Sequence, residues 1–173
     1  MPDPVIITEY NRNWPRIYKE EEAHILQVIG DYIEDIQHVG STSVPGLGAK
    51  SIIDIMIGIH KLSLVDKCVQ PLHSLGYEYL GEFGIPGRHY FRKPPEALTM
   101  HRTHHLHMVE TNNDGWKRNI LFRDYLRTHP EDAKQYEVLK RALAKQFGSD
   151  REGYTDAKTE FIETVLAKAT LGE

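Results

Sequence analysis

Residues 38–59 read HVGSTSVPGLGAKSIIDIMIGI, with one carboxylate, Asp54, set among Ile52, Ile53, Ile55, Met56, Ile57 and Ile59. A segment apolar on both pleat faces is the pattern of a strand in the middle of a sheet. An unpaired charge buried there costs several kcal/mol, so Asp54 must be paired, hydrogen-bonded, protonated or bound to a metal. The preceding loop supplies groups for a shared ligand. Gly40 permits close backbone approach, and loop N–H groups with the hydroxyls of Ser41, Thr42 and Ser43 can cradle a phosphate. Lys50 adds a positive charge at the same end of the strand. The plainer alternative is that Pro45, Gly46 and Gly48 only shape a turn.

A second constellation is RTHHLHMVE, residues 102–110. In a strand His105 and His107 share one face, while Leu106 and Met108 share the other. If the apolar pair packs under a helix, both imidazoles turn outward, toward Asp54. Two histidines at i and i+2 with a carboxylate make a sensible ligand set for zinc, manganese or iron. The same rings can instead hydrogen-bond a phosphate or a base, or act as general acid and base near neutral pH. GRHYFRK places Arg88, Tyr90 and Arg92 on one face, where guanidinium groups around an aromatic ring suit phosphate and a stacked ring; a solvated edge strand would read the same way. Arg102 is a further candidate for that group. In FRDYLR, Arg123, Asp124 and Arg127 read as local ion pairs that orient a helix. Cys68, the one cysteine, reads as a small buried hydrophobe.

These residues need elements to position them. A short strand is expected at 5–8, and Asn13, Trp14 and Pro15 introduce a helix to about Gly30. A strand over 34–39 feeds the loop, and the buried strand covers 51–59. A helix over 62–75 ends at Gly76, and strands follow at 77–80, 88–92 and 103–110. The remainder is helical. Asp114 is expected to cap a helix through Leu126, and Thr128, His129, Pro130 and Glu131 form a capping-box pattern before a helix with Tyr136, Leu139, Leu143 and Phe147 on one stripe. A last helix over 155–169 turns Phe161, Ile162, Val165, Leu166 and Ala169 inward, with Tyr154 and Lys158 on the same stripe. Lysine is rarely buried without a partner, so Lys158 is expected to point into a cleft and meet an anion. The expected architecture is α/β in the broad α+β sense: a mixed sheet of five or six strands, flanked by N-terminal and C-terminal helices, in one domain over residues 1–173.

A Gly-Ser pair, a loop and an aspartate within an apolar strand, with twelve residues between Ser41 and Asp54, resembles the signature of the polymerase-β-like nucleotidyltransferase fold. More specifically, HVGSTSVPGLGAKSIIDIMIGI, RTHHLHMVE, FRDYLRTHP and the terminal YTDAK together resemble the GrpB family, whose members also occur fused to dephospho-CoA kinase. The likeness runs from the EYNRNWP opening to Lys158. It implies a nucleotidyltransferase-like sheet, with Asp54 as ligand of a divalent metal (magnesium, manganese or zinc). It implies nucleotidyl or phosphoryl transfer involving a nucleotide or other phosphorylated small molecule, and an association with coenzyme A biosynthesis. Met56 departs from that signature, because alternation puts it on the face of Asp54 where a second carboxylate belongs. Two other functions therefore stay open. One is a non-catalytic module for a nucleotide or coenzyme A-related ligand, and the other is a metal-dependent hydrolase built on Asp54, His105 and His107.

With 173 residues, 40% hydrophobic and 27% charged, the chain has the composition of an ordinary folded domain. A net charge of -4 argues against general binding to nucleic acid or to an anionic membrane surface. MPDPVIITEY lacks the basic and apolar regions of a secretory leader, and no apolar run reaches the length of a membrane span, so a cytoplasmic location is expected.

Overall fold

The computed structural model describes residues 4–99 and 101–172. Helix α1 (Trp14–Ile29) carries Pro15 in its first turn, which its fixed φ suits, and buries Trp14, Tyr18, Ile25 and Ile29 along one stripe. Strand β1 (Ile33–Val39) follows, then β2 (Ile53–Ile59) after the loop, α2 (Val65–Ser74), the two-residue β3 (Glu78–Tyr79), β4 (His89–Lys93) and β5 (His104–Glu110). The C-terminal part is helical: α3 (Asp114–Thr128), α4 (Pro130–Phe147), α5 (Arg151–Ala157) and α6 (Thr159–Leu171). The five strands form one mixed sheet in the order β1-β2-β5-β4-β3. Strands β2 and β5 run parallel, and the remaining neighbours are antiparallel.

Register then sorts the side chains. On one face Ile53, Ile55, Ile57, Ile59, Leu106, Met108 and Phe91 pack against α1 and α2 in the main core. Cys68 belongs to that core, as its sequence context suggests, and burial pushes its thiol up to about 11. On the other face Asp54 pairs with His105 and Met56 with His107 across β2 and β5, while Tyr90 lies opposite His107 and Arg92 opposite His105 across β4 and β5. Met56, with Val39 and Val109, is sealed beneath Trp116 of α3. The polar end of this face is left to the C-terminal helices.

Several local expectations are revised. Residues 5–8 make only one bridge, Thr8 with Ala49, because Val5 turns its side chain to Leu143 and Tyr154 rather than into the sheet. The cap of α3 is Asn113, whose Oδ1 accepts from the Gly115 amide at 2.8 Å, and not Asp114. The Thr128 hydroxyl bonds back to the Asp124 and Tyr125 carbonyls, so α3 runs through it and His129 precedes Pro130 with no capping box. The final helix is two helices that meet at Lys158, whose amide bonds the Thr155 carbonyl in a tighter step. Among the described residues no helix is long and apolar enough to cross a membrane.

Candidate functional site

Asp54 opens the site. Its side chain is 30% exposed, at the edge of an otherwise buried strand. His105 Nδ1 lies 3.5 Å and His107 Nε2 3.9 Å from the same oxygen, Oδ1. Burial alone would raise its pKa, but the two facing imidazoles outweigh burial and hold the carboxyl well below the usual carboxylate range. His107 is itself pulled below the ordinary histidine value, burial outweighing Asp54.

A third group sets the state of His107. Arg88 Nη1 lies 3.3 Å from His107 Nδ1. Arginine can only donate, so Nδ1 accepts and the proton of the neutral ring sits on Nε2, facing Asp54. A histidine that ligates through Nε2 needs its other nitrogen to carry a proton toward an acceptor, which is the opposite arrangement. His107 therefore does not fit a zinc or iron ligand here. Among the described residues no group of three or more His, Cys, Asp and Glu is arranged to hold a metal ion. Asp54 alone does fit a magnesium or manganese ion that arrives with phosphates, since magnesium is commonly held by one or two carboxylates and its ligand's own oxygens.

Beside Asp54 runs the loop. Gly40 has φ +75, and a Cβ on it would come within 2.5 Å of Asp54 Oδ2, so both backbone and space demand glycine. The hydroxyls divide in a way the sequence does not show. Thr42 donates to the Ile52 carbonyl at 3.2 Å and receives His38 Nε2 at 2.9 Å. Ser43 donates to the Gly40 carbonyl. Both thus brace the loop, and Ser41 and Thr42 line a cavity of about 420 Å³ that also takes in Gly40, Asp54, His105 and His107.

The opposite wall carries three lysines. Lys50 precedes β2, Lys140 comes from α4 and Lys158 from the junction of α5 and α6, and all line the same cavity. Lys140 Nζ donates to the Gly48 carbonyl at 2.5 Å, and Glu137, one turn earlier, accepts from the Gly48 amide. One turn of α4 so grips both polar groups of Gly48. Lys50 and Lys158 sit 5.4 and 4.6 Å from the Tyr154 ring, whose buried hydroxyl has no hydrogen-bond partner among the described residues. Burial, then proximity to Lys50, lowers Lys158 to about 8; burial, then Lys158, lowers Lys140 to about 7. Burial lowers Lys50 too, and Asp54 opposes it.

Of the residues that the sequence assigns to one site, Asp54, His105, His107, Gly40, Ser41, Thr42, Lys50 and Lys158 line the same cavity, and Ser43 does not. Arg88 and Tyr90 stand behind His107, outside the lysine cavity. Arg102 does not reach it: its guanidinium bonds the Thr99 carbonyl and lies 3.8 Å from Glu96. Arg92 is tied to Glu78 and Glu96. Arg123 makes the expected local pair with Asp124 at 2.9 Å, but Arg123 and Arg127 also reach far along the chain to the His38 and Ser43 carbonyls, holding α3 to β1 and the loop. Lys140 and Tyr136 were missed, although Lys140 lies at i+4 from Tyr136 on the buried stripe of α4, the same signal that picked out Lys158.

The family described as "GrpB protein" matches residues 4–168. The "Glutamate-rich protein GrpB" of Alkalihalophilus pseudofirmus is 37% identical over 163 residues, 94% of either chain. The crystal structure of conserved protein GrpB from Enterococcus faecalis superposes with a TM-score of 0.85 at 37% identity, covering 95% of this chain and 96% of that one. A protein named dephospho-CoA kinase from Mycolicibacterium paratuberculosis is 25% identical over 191 residues, matching 96% of this chain and 46% of its own length.

Proposed function

The chain belongs to the GrpB family, and we propose that it binds a nucleotide or related phosphorylated small molecule in the Asp54 cavity and transfers a nucleotidyl or phosphoryl group from it. The observation that supports this reading is the charge of the cavity. Lys50, Lys140 and Lys158 face it from three separate parts of the chain, and Asp54 is the only carboxylate that lines it among the described residues. Lys140 is buried and Lys50 and Lys158 are half-buried, and gathering their charges around one lining carboxylate is costly unless an anion joins them. A chain of phosphates supplies several negative charges in a row and matches lysine's point charges.

The chemistry follows from the other wall. An acceptor hydroxyl attacks phosphorus and loses its proton to His105, whose Nδ1 faces Asp54 at 3.5 Å, while the P–O bond to the leaving phosphate breaks. The lysines balance the charge that develops on the leaving oxygen. His107, its Nε2–H directed at Asp54, keeps that carboxylate ionised and in place. A magnesium or manganese ion would be held by Asp54 with the ligand's phosphates, and it would screen their charge.

One observation favours binding without chemistry. Met56 is sealed in an apolar cluster where a second carboxylate would complete a two-ion site. Under that reading the cavity is a module for a nucleotide or a coenzyme A-related ligand, and the relative named dephospho-CoA kinase makes coenzyme A precursors worth including in any screen.

The test is a thermal-shift screen of metal-stripped protein against nucleotides, coenzyme A precursors and inorganic tripolyphosphate, each with and without magnesium, manganese or zinc. A ligand of the folded state raises the melting temperature by mass action, so no knowledge of the reaction is needed. Phosphorylated ligands should shift the wild type. A charge-assisted bond contributes about 1.5–3 kcal/mol, so Lys158→Ala should weaken them by about 10- to 100-fold. Silence across the panel, or an undiminished shift in a Lys50→Ala, Lys158→Ala double variant, would sink the assignment. Binding with no turnover of any ligand selects the module.

A further inference from the structure

Beyond His107, away from the lysines, lies a hairpin whose conformation the phosphate site does not explain. It joins β3 to β4 with the sequence LGEFGIPGR, residues 80–88. Gly81, Gly84 and Gly87 all adopt positive φ, which glycine does freely. Phe83 does so as well, at φ 49, and no other non-glycine among the described residues does. A bulky L-residue held there is strained and persists only where its surroundings dictate it. Burial is not the compensation, because Phe83 is 60% exposed.

What holds Phe83 is Arg88. Its Nη2 donates to the Glu82 and Phe83 carbonyls at 3.1 Å each, and its Nη1 reaches His107. The guanidinium carbon stands 5.1 Å over the Tyr90 ring, and the Phe83 ring lies 5.4 Å from Tyr90 at 31°. Glu82 also accepts from the Gly87 amide, closing the hairpin on itself. One side chain thus couples an exposed, strained aromatic ring to the imidazole that faces Asp54. Arg88 Nε, buried at the base of this arrangement, has no hydrogen-bond partner among the described residues.

The geometry points to a second subsite of the same ligand: Phe83, backed by Tyr90 and Arg88, is the shelf on which a planar heterocycle stacks, so that a nucleoside phosphate lies across Asp54 with its base on the hairpin and its phosphates among the lysines. This rests on the phosphate reading given above. An exposed aromatic face accepts any base, because every base offers a π-face. Strain at Phe83 is the cost of presenting the ring in advance, which lowers the ordering penalty when the ligand arrives.

Calorimetric titration of the full chain with tripolyphosphate and, separately, with ATP, GTP, CTP and UTP tests it. The nucleoside triphosphates should bind about tenfold or more tightly than tripolyphosphate. In Phe83→Gly, which keeps the left-handed backbone without strain, that advantage should vanish while tripolyphosphate affinity stays the same. Phe83→Trp should restore it. A Phe83→Gly protein that melts no lower than wild type shows that the loss is not unfolding. If tripolyphosphate binds and the nucleotides bind no better, or if Phe83→Gly keeps their advantage, the shelf is wrong while the phosphate site stands. If neither tripolyphosphate nor any nucleotide binds, the phosphate reading fails and the shelf with it.

Discussion

Asp54 is tolerated in a buried strand because its neighbours are arranged for it: two imidazoles along β5, a glycine at contact distance, and lysines across the cavity. Replacing it with asparagine removes the charge that orients both imidazoles and would hold a metal, while keeping the shape, so Asp54→Asn should abolish turnover of any substrate found and leave the circular dichroism spectrum unchanged. An active Asp54→Asn enzyme would overturn that role. The tautomer of His107 can be read without a substrate. Long-range proton–nitrogen correlation on ring-labelled protein should place the proton of neutral His107 on Nε2, and Arg88→Met should release Nδ1 and mix the tautomers. Finding the wild-type proton on Nδ1 would overturn the Arg88 assignment and reopen His107 as a metal ligand.

At the scale of elements, the loop and strand β2 act as one piece. Thr42 and Ser43 fix the turn, and Gly40 lets it lie against Asp54. Gly40→Ala adds a Cβ to a residue at φ 75 and ψ -177, backbone that only glycine adopts freely, costing on the order of 1–3 kcal/mol from the backbone alone. The new methyl also meets the carboxylate, so urea denaturation should show a loss of about 2 kcal/mol or more. A loss under 0.5 kcal/mol would mean the loop moves freely, which contradicts its bracing.

Elements with a single strong period were legible in the sequence: α1, with its proline start and buried stripe, and β5, with imidazoles on one face and Leu106 and Met108 on the other. Competing local bonds decided the rest. Thr128 has the residue type of a cap but satisfies α3, and Asn113 outbids Asp114 for the amide at its start. Arg102 lies two residues before β5, so strand alternation does not fix its direction. Lys140 shares the buried stripe of α4 with Tyr136, but the Gly48 carbonyl that receives it comes from 92 residues away, a partner that helical spacing does not show.

The whole molecule adds what no single lysine carries, a folded state that holds a local excess of positive charge. Lys140 and Lys158 titrate near 7 and 8 when folded, against 10.5 for an unperturbed lysine. Well below 7 both states are fully protonated and the burial and repulsion penalty is present in full. Between pH 7 and 9 the folded protein releases protons that the unfolded chain keeps, and stability rises with pH wherever the unfolded state binds more protons. The free protein should therefore melt at a higher temperature at pH 9 than at pH 7. A bound polyanion inverts the balance, because it favours the protonated lysines. Binding of tripolyphosphate should take up protons, seen as a buffer-dependent heat at pH 8, and its affinity should fall from pH 7 to pH 9. The melting curves of free and saturated protein would then converge as pH rises. A free-protein melting temperature that falls over this range, together with anion binding that releases protons, would show that these lysines are ordinary surface cations and that the cavity stores no charge for a phosphate to neutralise.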